Sequence, residues 1–211
     1  MIIENGQSDI KEITTDKNIN YWKEIEKNIS DELKDLSGVV LITHNSVEFT
    51  DLIDFFQNLR KGQFITILYI SLVRSYNYMK KALEFKPLDQ KRVIFIDCVS
   101  GYAFPVDDNV DEAFYHKPPQ NLSEMKDIIR FGVEKINPEV VIVDSLSQFI
   151  NFSNPTEDEL NEFYEFLRTL KKDTINVMQN TFILLYDTKL SMKQHLPKKA
   201  TDSIIKLEVV R

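Results

Sequence analysis

Apolar residues in this chain alternate between short continuous runs and stretches with helical spacing. Six runs read as strands: Val39–Thr43, Phe64–Leu72, Arg92–Cys98, Val140–Asp144, Thr181–Tyr186 and Ser203–Val209. The second is nearly unbroken, which suits a sheet covered on both faces. The fourth ends on a carboxylate, Asp144. Between the runs, apolar positions recur at three and four residues. Trp22, Ile25, Ile29, Leu33 and Leu36 predict a helix over residues 20–36, ended by Gly38. Val47, Leu52, Ile53, Phe55, Phe56 and Leu59 mark the next helix, and Tyr76, Met79 and Leu83 a shorter one. Asn121 with Glu124 caps a helix whose stripe is Met125, Ile128, Ile129, Val133 and Ile136. Thr156-Glu157-Asp158-Glu159 is a capping box ahead of Leu160, Phe163, Tyr164, Leu167 and Leu170.

Strands separated by helices of this length predict right-handed crossovers and a largely parallel sheet. Residues 1–19 read as a polar arm or short strand. Residues 99–120, with Pro105, Asp107, Asp108, Asp111, Glu112 and Pro118-Pro119, read as a long loop, functional or disordered. The expected organisation is an arm and helix over residues 1–37 and an α/β domain over 38–211.

Charge and composition narrow the function. A net charge of −7 argues against tight nonspecific binding to nucleic acid. The single Cys98 excludes an intrachain disulfide and fits a reducing compartment, hence the cytoplasm. No apolar stretch reaches the roughly 18 residues of a membrane span. The early acidic residues Glu4, Asp9 and Glu12 do not follow the order of a secretory leader.

Candidate chemistry centres on the turn after Ile42. A phosphate loop, G-x-x-x-x-G-K-[ST], curls backbone N–H groups around phosphate and neutralises it with lysine. Laid over that spacing, Thr43 and Glu48 take the glycine positions, Phe49 the lysine position, and Thr50 alone matches. Only five glycines occur in the chain, and neither a phosphate loop nor a dinucleotide fingerprint can be built from them. His44, Asn45, Ser46, Thr50 and Asp144 could form a small polar pocket at the strand ends, where open α/β sheets bind ligands. The same residues could simply cap the following helix, and that reading carries more weight. His44, His116 and His195 lack metal-ligand spacing. Ser145 and Ser147 have no adjacent base or nucleophile turn and read as strand-end hydrogen-bonding groups. Cys98 reads as a buried small hydrophobe. Lys189, Lys193, Lys198 and Lys199, with His195 among them, form a basic stretch before the last strand, either a solvated loop or a nucleic-acid or partner contact.

The order of these pieces resembles the RecA superfamily, and within it the KaiC-like branch common in archaea. The resemblance covers about residues 38–207. It rests on the strand and turn over 38–50 and on Ile67-Leu68-Tyr69-Ile70-Ser71-Leu72-Val73-Arg74-Ser75, similar to a family strand ending Ser-Leu-Glu-Glu-Ser. It also rests on Val140-Val141-Ile142-Val143-Asp144-Ser145-Leu146, similar to the Walker B strand and its Asp-Ser-Leu, and on Ala200-Thr201-Asp202-Ser203-Ile204-Ile205-Lys206-Leu207. The resemblance implies a three-layer α/β fold of the P-loop NTPase type, a mostly parallel sheet with helices on both faces. In active relatives the glutamate pair positions or activates water; here Val73 and Arg74 stand there, and neither can act as a general base. With the lysine and the base both lost, phosphoryl transfer loses its main parts. The expectation is a non-catalytic protein without a cofactor, acting on a protein partner, an active relative or a second copy. Nucleotide or anion binding without hydrolysis, and nucleic-acid binding through residues 189–199, stand as alternatives.

Overall fold

The computed structural model describes residues 2–5, 9–12, 33, 36–45, 48–103, 112–173, 180–189 and 201–207. Its strands are β1 (Ile2–Asn5), β2 (Asp9–Glu12), β3 (Gly38–His44), β4 (Ile65–Ser71), β5 (Lys91–Asp97), β6 (Ala113–Tyr115), β7 (Val140–Asp144), β8 (Thr181–Asp187) and β9 (Ser203–Leu207). They form one sheet in the order β2-β1-β9-β3-β8-β7-β4-β5-β6. From β9 to β6 every pairing is parallel. β1 runs antiparallel to β9 and carries β2 at its outer side, so the amino-terminal strands extend the main sheet.

The helices are α1 (Phe49–Asn58), α2 (Tyr76–Phe85), α3 (Ser100–Ala103), α4 (Leu122–Ile136), α5 (Leu146–Ser153) and α6 (Glu157–Asp173). Side chains alternate across the sheet, and the two cores follow that alternation. Val39, Leu41, Leu68, Ile70 and Val141 pack with α4, α5 and α6. Val40, Ile42, Ile67, Tyr69 and Ile142 pack on the other face with α1 and α2. Both faces are therefore covered, which is why β3, β4, β7 and β8 read as apolar runs rather than as alternation.

Several boundaries differ from the expected ones by a residue or two, as hydrogen-bonded ends commonly do. Larger differences lie elsewhere. The stretch expected as a loop over 99–120 contains α3 and β6, each too short to leave a periodic signal. The helix α5, directly after β7, has no counterpart in the sequence reading; Ser145 caps it by accepting from Gln148 N–H at 3.2 Å. Both capping predictions hold. Asn121 accepts from Glu124 N–H at 3.0 Å, and the Thr156 N–H donates to Glu159 at 2.7 Å. Most of the helix expected over 20–36 lies outside the described residues; within it Leu33 is helical and buried.

Gly38 opens β3 in the left-handed region, at φ +83°. Beside it the Asp202 carboxylate accepts the Val39 N–H at 2.7 Å, while Asp202 N–H donates to Val39 O at 2.8 Å. A Cβ at position 38 would collide with that carboxylate. Gly38→Ala thus combines backbone strain with loss of the bond that ties the start of β9 to β3. We expect it to lower unfolding free energy by about 2 kcal/mol, read from the urea midpoint at unchanged slope. An unchanged midpoint would show that this junction is slack.

Candidate functional site

Parallel strands covered on both faces can place polar side chains only at their ends. At the carboxyl end of this sheet stand His44 (β3), Ser71 (β4), Asp97 (β5), Asp144 (β7) and Asp187 (β8), all buried. Register sets Ser71 level with Asp144 on one side and Asp97 on the other, and His44 level with Asp187. Three carboxylates removed from water must each be met by donors or cations.

Asp97 is met entirely by hydrogen-bond donors, with no cation among the described residues. It accepts from the N–H groups of Tyr76 (2.7 Å), Val99 (2.7 Å) and Ser100 (2.8 Å), and from the Ser100 hydroxyl (2.6 Å). Asp187 accepts from Lys189 N–H at 2.8 Å, and its own N–H donates to the Ser147 hydroxyl at 3.1 Å. Ser145 and Ser147 hydrogen-bond each other at 2.9 Å. The two serines serve the strand ends, as their sequence context indicated.

Asp144 is met differently. The Tyr69 hydroxyl donates to its Oδ2 at 2.5 Å, and the Arg74 guanidinium forms a salt bridge with the same oxygen. Arg74 reaches it because the chain turns back after β4. The Ser71 hydroxyl donates to Arg74 O at 2.7 Å and accepts Arg74 N–H at 3.0 Å. Burial works against the Arg74 cation, yet the charge of Asp144 and the hydrogen bond to it hold the guanidinium above its ordinary value. Burial, reinforced by the Asp144 charge, pushes the Tyr69 phenol well above its usual range, so it remains a donor.

The position that the sequence pattern aligns with a phosphate-binding lysine is also closed. Phe49 is 1% exposed, with its ring edge-on to Tyr69 at 5.6 Å and to Phe56 at 6.4 Å. The site is thus filled from within, by a continuous set of contacts from Phe49 through Tyr69 to Asp144 and Arg74. Glu48 caps α1, and its N–H donates to Asp51 at 3.0 Å. A helix N-terminus attracts anions through its unpaired N–H groups and dipole. Here two carboxylates of the chain itself already occupy that end.

The other predicted site residues divide. His44 lies at the strand ends with Asp144. Its carbonyl accepts from Thr188 N–H (2.8 Å) and from the Thr188 hydroxyl (2.9 Å). Thr50, the one residue matching the phosphate-loop pattern, is exposed on the first turn of α1, and Asn45 is half-buried. Ser46 lies outside the described residues, as do Lys193, Lys198, Lys199 and His195. Lys189 is exposed. His116 is exposed as well, and no group of metal-ligating side chains occurs among the described residues. Cys98 is buried, and burial pushes its thiol up to about 12, which leaves it a hydrophobe. Tyr69 and Asp187 were missed in the sequence. Tyr69 is the hydroxyl-bearing ring within the apolar run of β4, and Asp187 ends β8 as Asp144 ends β7; those were the available signals.

No family model matches the chain, and no curated protein matches it in sequence. Among solved structures it is similar to the flagellar accessory protein FlaH from Methanocaldococcus jannaschii. That match has 13% identity and a TM-score of 0.50, over 83% of this chain and 75% of the other. It is also similar to a KaiC-like protein from Pyrococcus horikoshii OT3, with 16% identity and a TM-score of 0.48, over 82% and 72%. At such identity the first likeness is one of fold, and with the parallel sheet and its two helical layers it bears out the three-layer α/β fold read from the sequence.

Two outcomes test the site. Arg74→Met leaves Asp144 buried without its cation and should cost about 3 kcal/mol or more in urea unfolding, the typical range for one half of a buried pair. Replacing Asp144 with Leu in the same chain should recover most of the loss. Burial lowers the His44 pKa below 6.5, against the opposing charges of Asp187 and Asp144, while Arg74 adds to the lowering. The folded state therefore resists a proton that the unfolded chain accepts. Stability is at its full value above 6.5 and falls as pH drops from there toward the folded-state value. In His44→Gln the loss of stability across that window should be smaller. Identical pH curves would remove His44 as a contributor.

Proposed function

We propose that this chain, which has a RecA/KaiC-like three-layer α/β fold, is a non-catalytic protein of that architecture. It acts through protein contacts, as a regulator or assembly partner of an active ATPase of similar fold. The observation that carries this reading is the internal occupation of the nucleotide position: Phe49 buried where a lysine would be needed, and Asp144 held by Arg74 and Tyr69. Phosphoryl transfer depends on positioning and on charge stabilisation of the transferring group. An aspartate neutralised by an arginine of its own chain has no charge to spare for a magnesium ion, and a phenylalanine offers none to phosphate. The reading is supported further by Val73 and Arg74, which stand where a water-activating pair would stand.

Nucleotide held without hydrolysis is less well supported. Glu48 and Asp51 put two negative charges at the start of α1, where a phosphate would have to sit. Binding through the basic stretch over 189–199 rests on residues of which only Lys189 is described. The protein-contact reading leaves both surfaces of the sheet edge for a partner.

The test is magnesium-dependent ATP turnover by the purified chain, with Asp144→Ala as control. Both should sit at background, and thermal melts with millimolar ATP or GTP should not move. A ligand present at a hundred times its Kd would stabilise by about 2.7 kcal/mol, an easily seen shift. Turnover above background that disappears in Asp144→Ala would overturn the reading.

A further inference from the structure

The two turns that lead into β4 and β5 form one surface at the amino end of the sheet. Asp89 N–H donates to Gln57 Oε1 at 3.2 Å, Ile65 N–H to Gln90 O at 3.1 Å, and Lys91 Nζ to Gln63 O at 3.3 Å. Residues 59–64 and 85–90 are therefore tied to each other and to the end of α1. Both turns are described throughout. The chain re-enters the described residues at Glu112, beside Phe95, and at Asn180, ahead of β8, which β7 separates from β4. Neither point of entry lies at these turns.

Each turn carries an exposed phenylalanine. Phe64, one residue ahead of β4, is 71% exposed, and Phe85, the last residue of α2, is 91% exposed. Gly62 lies at φ +82°, and a Cβ there would meet nothing within 4 Å, so the first turn projects freely. On α2, Lys81 stands one helical turn before Phe85, and both face away from the buried Met79. Lys61, Lys86 and Arg92 are exposed as well. Residues 59–92 hold eight of the chain's 26 cations and two of its 33 carboxylates, Glu84 and Asp89, so this end opposes the net charge of −7. Of those cations Arg74 serves Asp144 at the other end of the sheet. Nearby, Asp54 pairs with Lys86, and Glu139 accepts the Thr66 N–H at 2.6 Å; the cations still outnumber the carboxylates. Exposed aromatic rings grouped in this way mark a contact surface.

We propose that the amino end of the sheet docks on the surface of an anionic lipid membrane. Phe64 and Phe85 enter the boundary between headgroups and acyl chains, and Lys61, Lys81, Lys86 and Arg92 face the headgroups. A ring that touches almost nothing of its own protein has no cavity shaped around it. A rigid partner would need a matching pocket for each ring, whereas a fluid interface takes both at whatever spacing they have. No helix among the described residues is long and apolar enough to cross a bilayer, so the contact is made from one side. The carboxyl end of the sheet, with Asp144, then points away from the lipid and stays accessible to a protein. This inference goes beyond the protein-contact reading and does not depend on it. ATP turnover tests that reading and vesicle binding tests this surface, so the two can fail separately.

The experiment is co-sedimentation of the full chain with unilamellar vesicles of phosphatidylglycerol and phosphatidylcholine in equal parts, and with phosphatidylcholine alone. At about 0.1 M salt, where the screening length is about 10 Å, binding is expected to the anionic vesicles only. A cation near such a surface contributes about fivefold in affinity, so Lys61→Glu with Lys81→Glu should lower the partition coefficient at least about twentyfold. Phe85→Ser keeps every charge and should lower it about fivefold. Both variants change exposed side chains and should leave the urea midpoint where it is. Absence of binding to anionic vesicles overturns the proposal, as does binding that neither variant weakens. Retention on immobilised polyglutamate by a chain that ignores the vesicles also overturns it, since an acidic protein is then the occupant.

Discussion

A carboxylate at the end of a strand buried on both faces must be neutralised from within the protein. That constraint shapes the carboxyl edge of this sheet. β7 is sealed by α4 and α5 on one face and by the α1 and α2 core on the other, so Asp144 has almost no access to water. Arg74 and Tyr69 satisfy it, and to do so they fix the turn after β4 and the orientation of the Tyr69 ring. The ring in turn sets the surface on which Phe49 and Phe56 pack. One buried carboxylate thereby organises the junction of two strands and a helix. Net stabilisation from such a pair is small, because desolvation offsets most of its attraction. Its effect lies in excluding other arrangements.

The fold was largely legible because double coverage leaves a plain mark on sequence. Four apolar runs announce β3, β4, β7 and β8, and capping residues announce α4 and α6. What escaped did so for physical reasons. β6 and α3 are too short to show a period, and α5 follows β7 with only Ser145 between, so its apolar residues read as a continuation of the strand's surroundings. The hairpin strand β1 gains its place by pairing with β9, some two hundred residues later in the chain, and no local pattern records such a partner.

The site was half legible. In the resemblance read from the sequence, Phe49 falls where a lysine would stand, and Val73 and Arg74 fall where a glutamate pair would stand. Sequence does not show that Arg74 turns back onto Asp144, because the two are seventy positions apart and meet only through the register of β4 with β7. The signal was a cation placed just after a strand whose last residue, Ser71, lies level with the aspartate. Nor does sequence distinguish an empty turn from a filled one; the edge-on packing of Phe49 against Tyr69 decides that, and it is a property of three-dimensional fit.

The shared dependence of Phe49, Tyr69, Arg74 and Asp144 also bears on reversibility. A lysine placed at position 49 would bury a second cation near Arg74 and strip the Tyr69 ring of its neighbour. An acidic residue at 74 would set two carboxylates against each other, and an uncharged one would leave Asp144 alone. Each single substitution toward phosphate-binding residues passes through a less stable protein. The interlock works as a ratchet: with these four side chains packed on one another, surface positions can change far more readily than any one of the four.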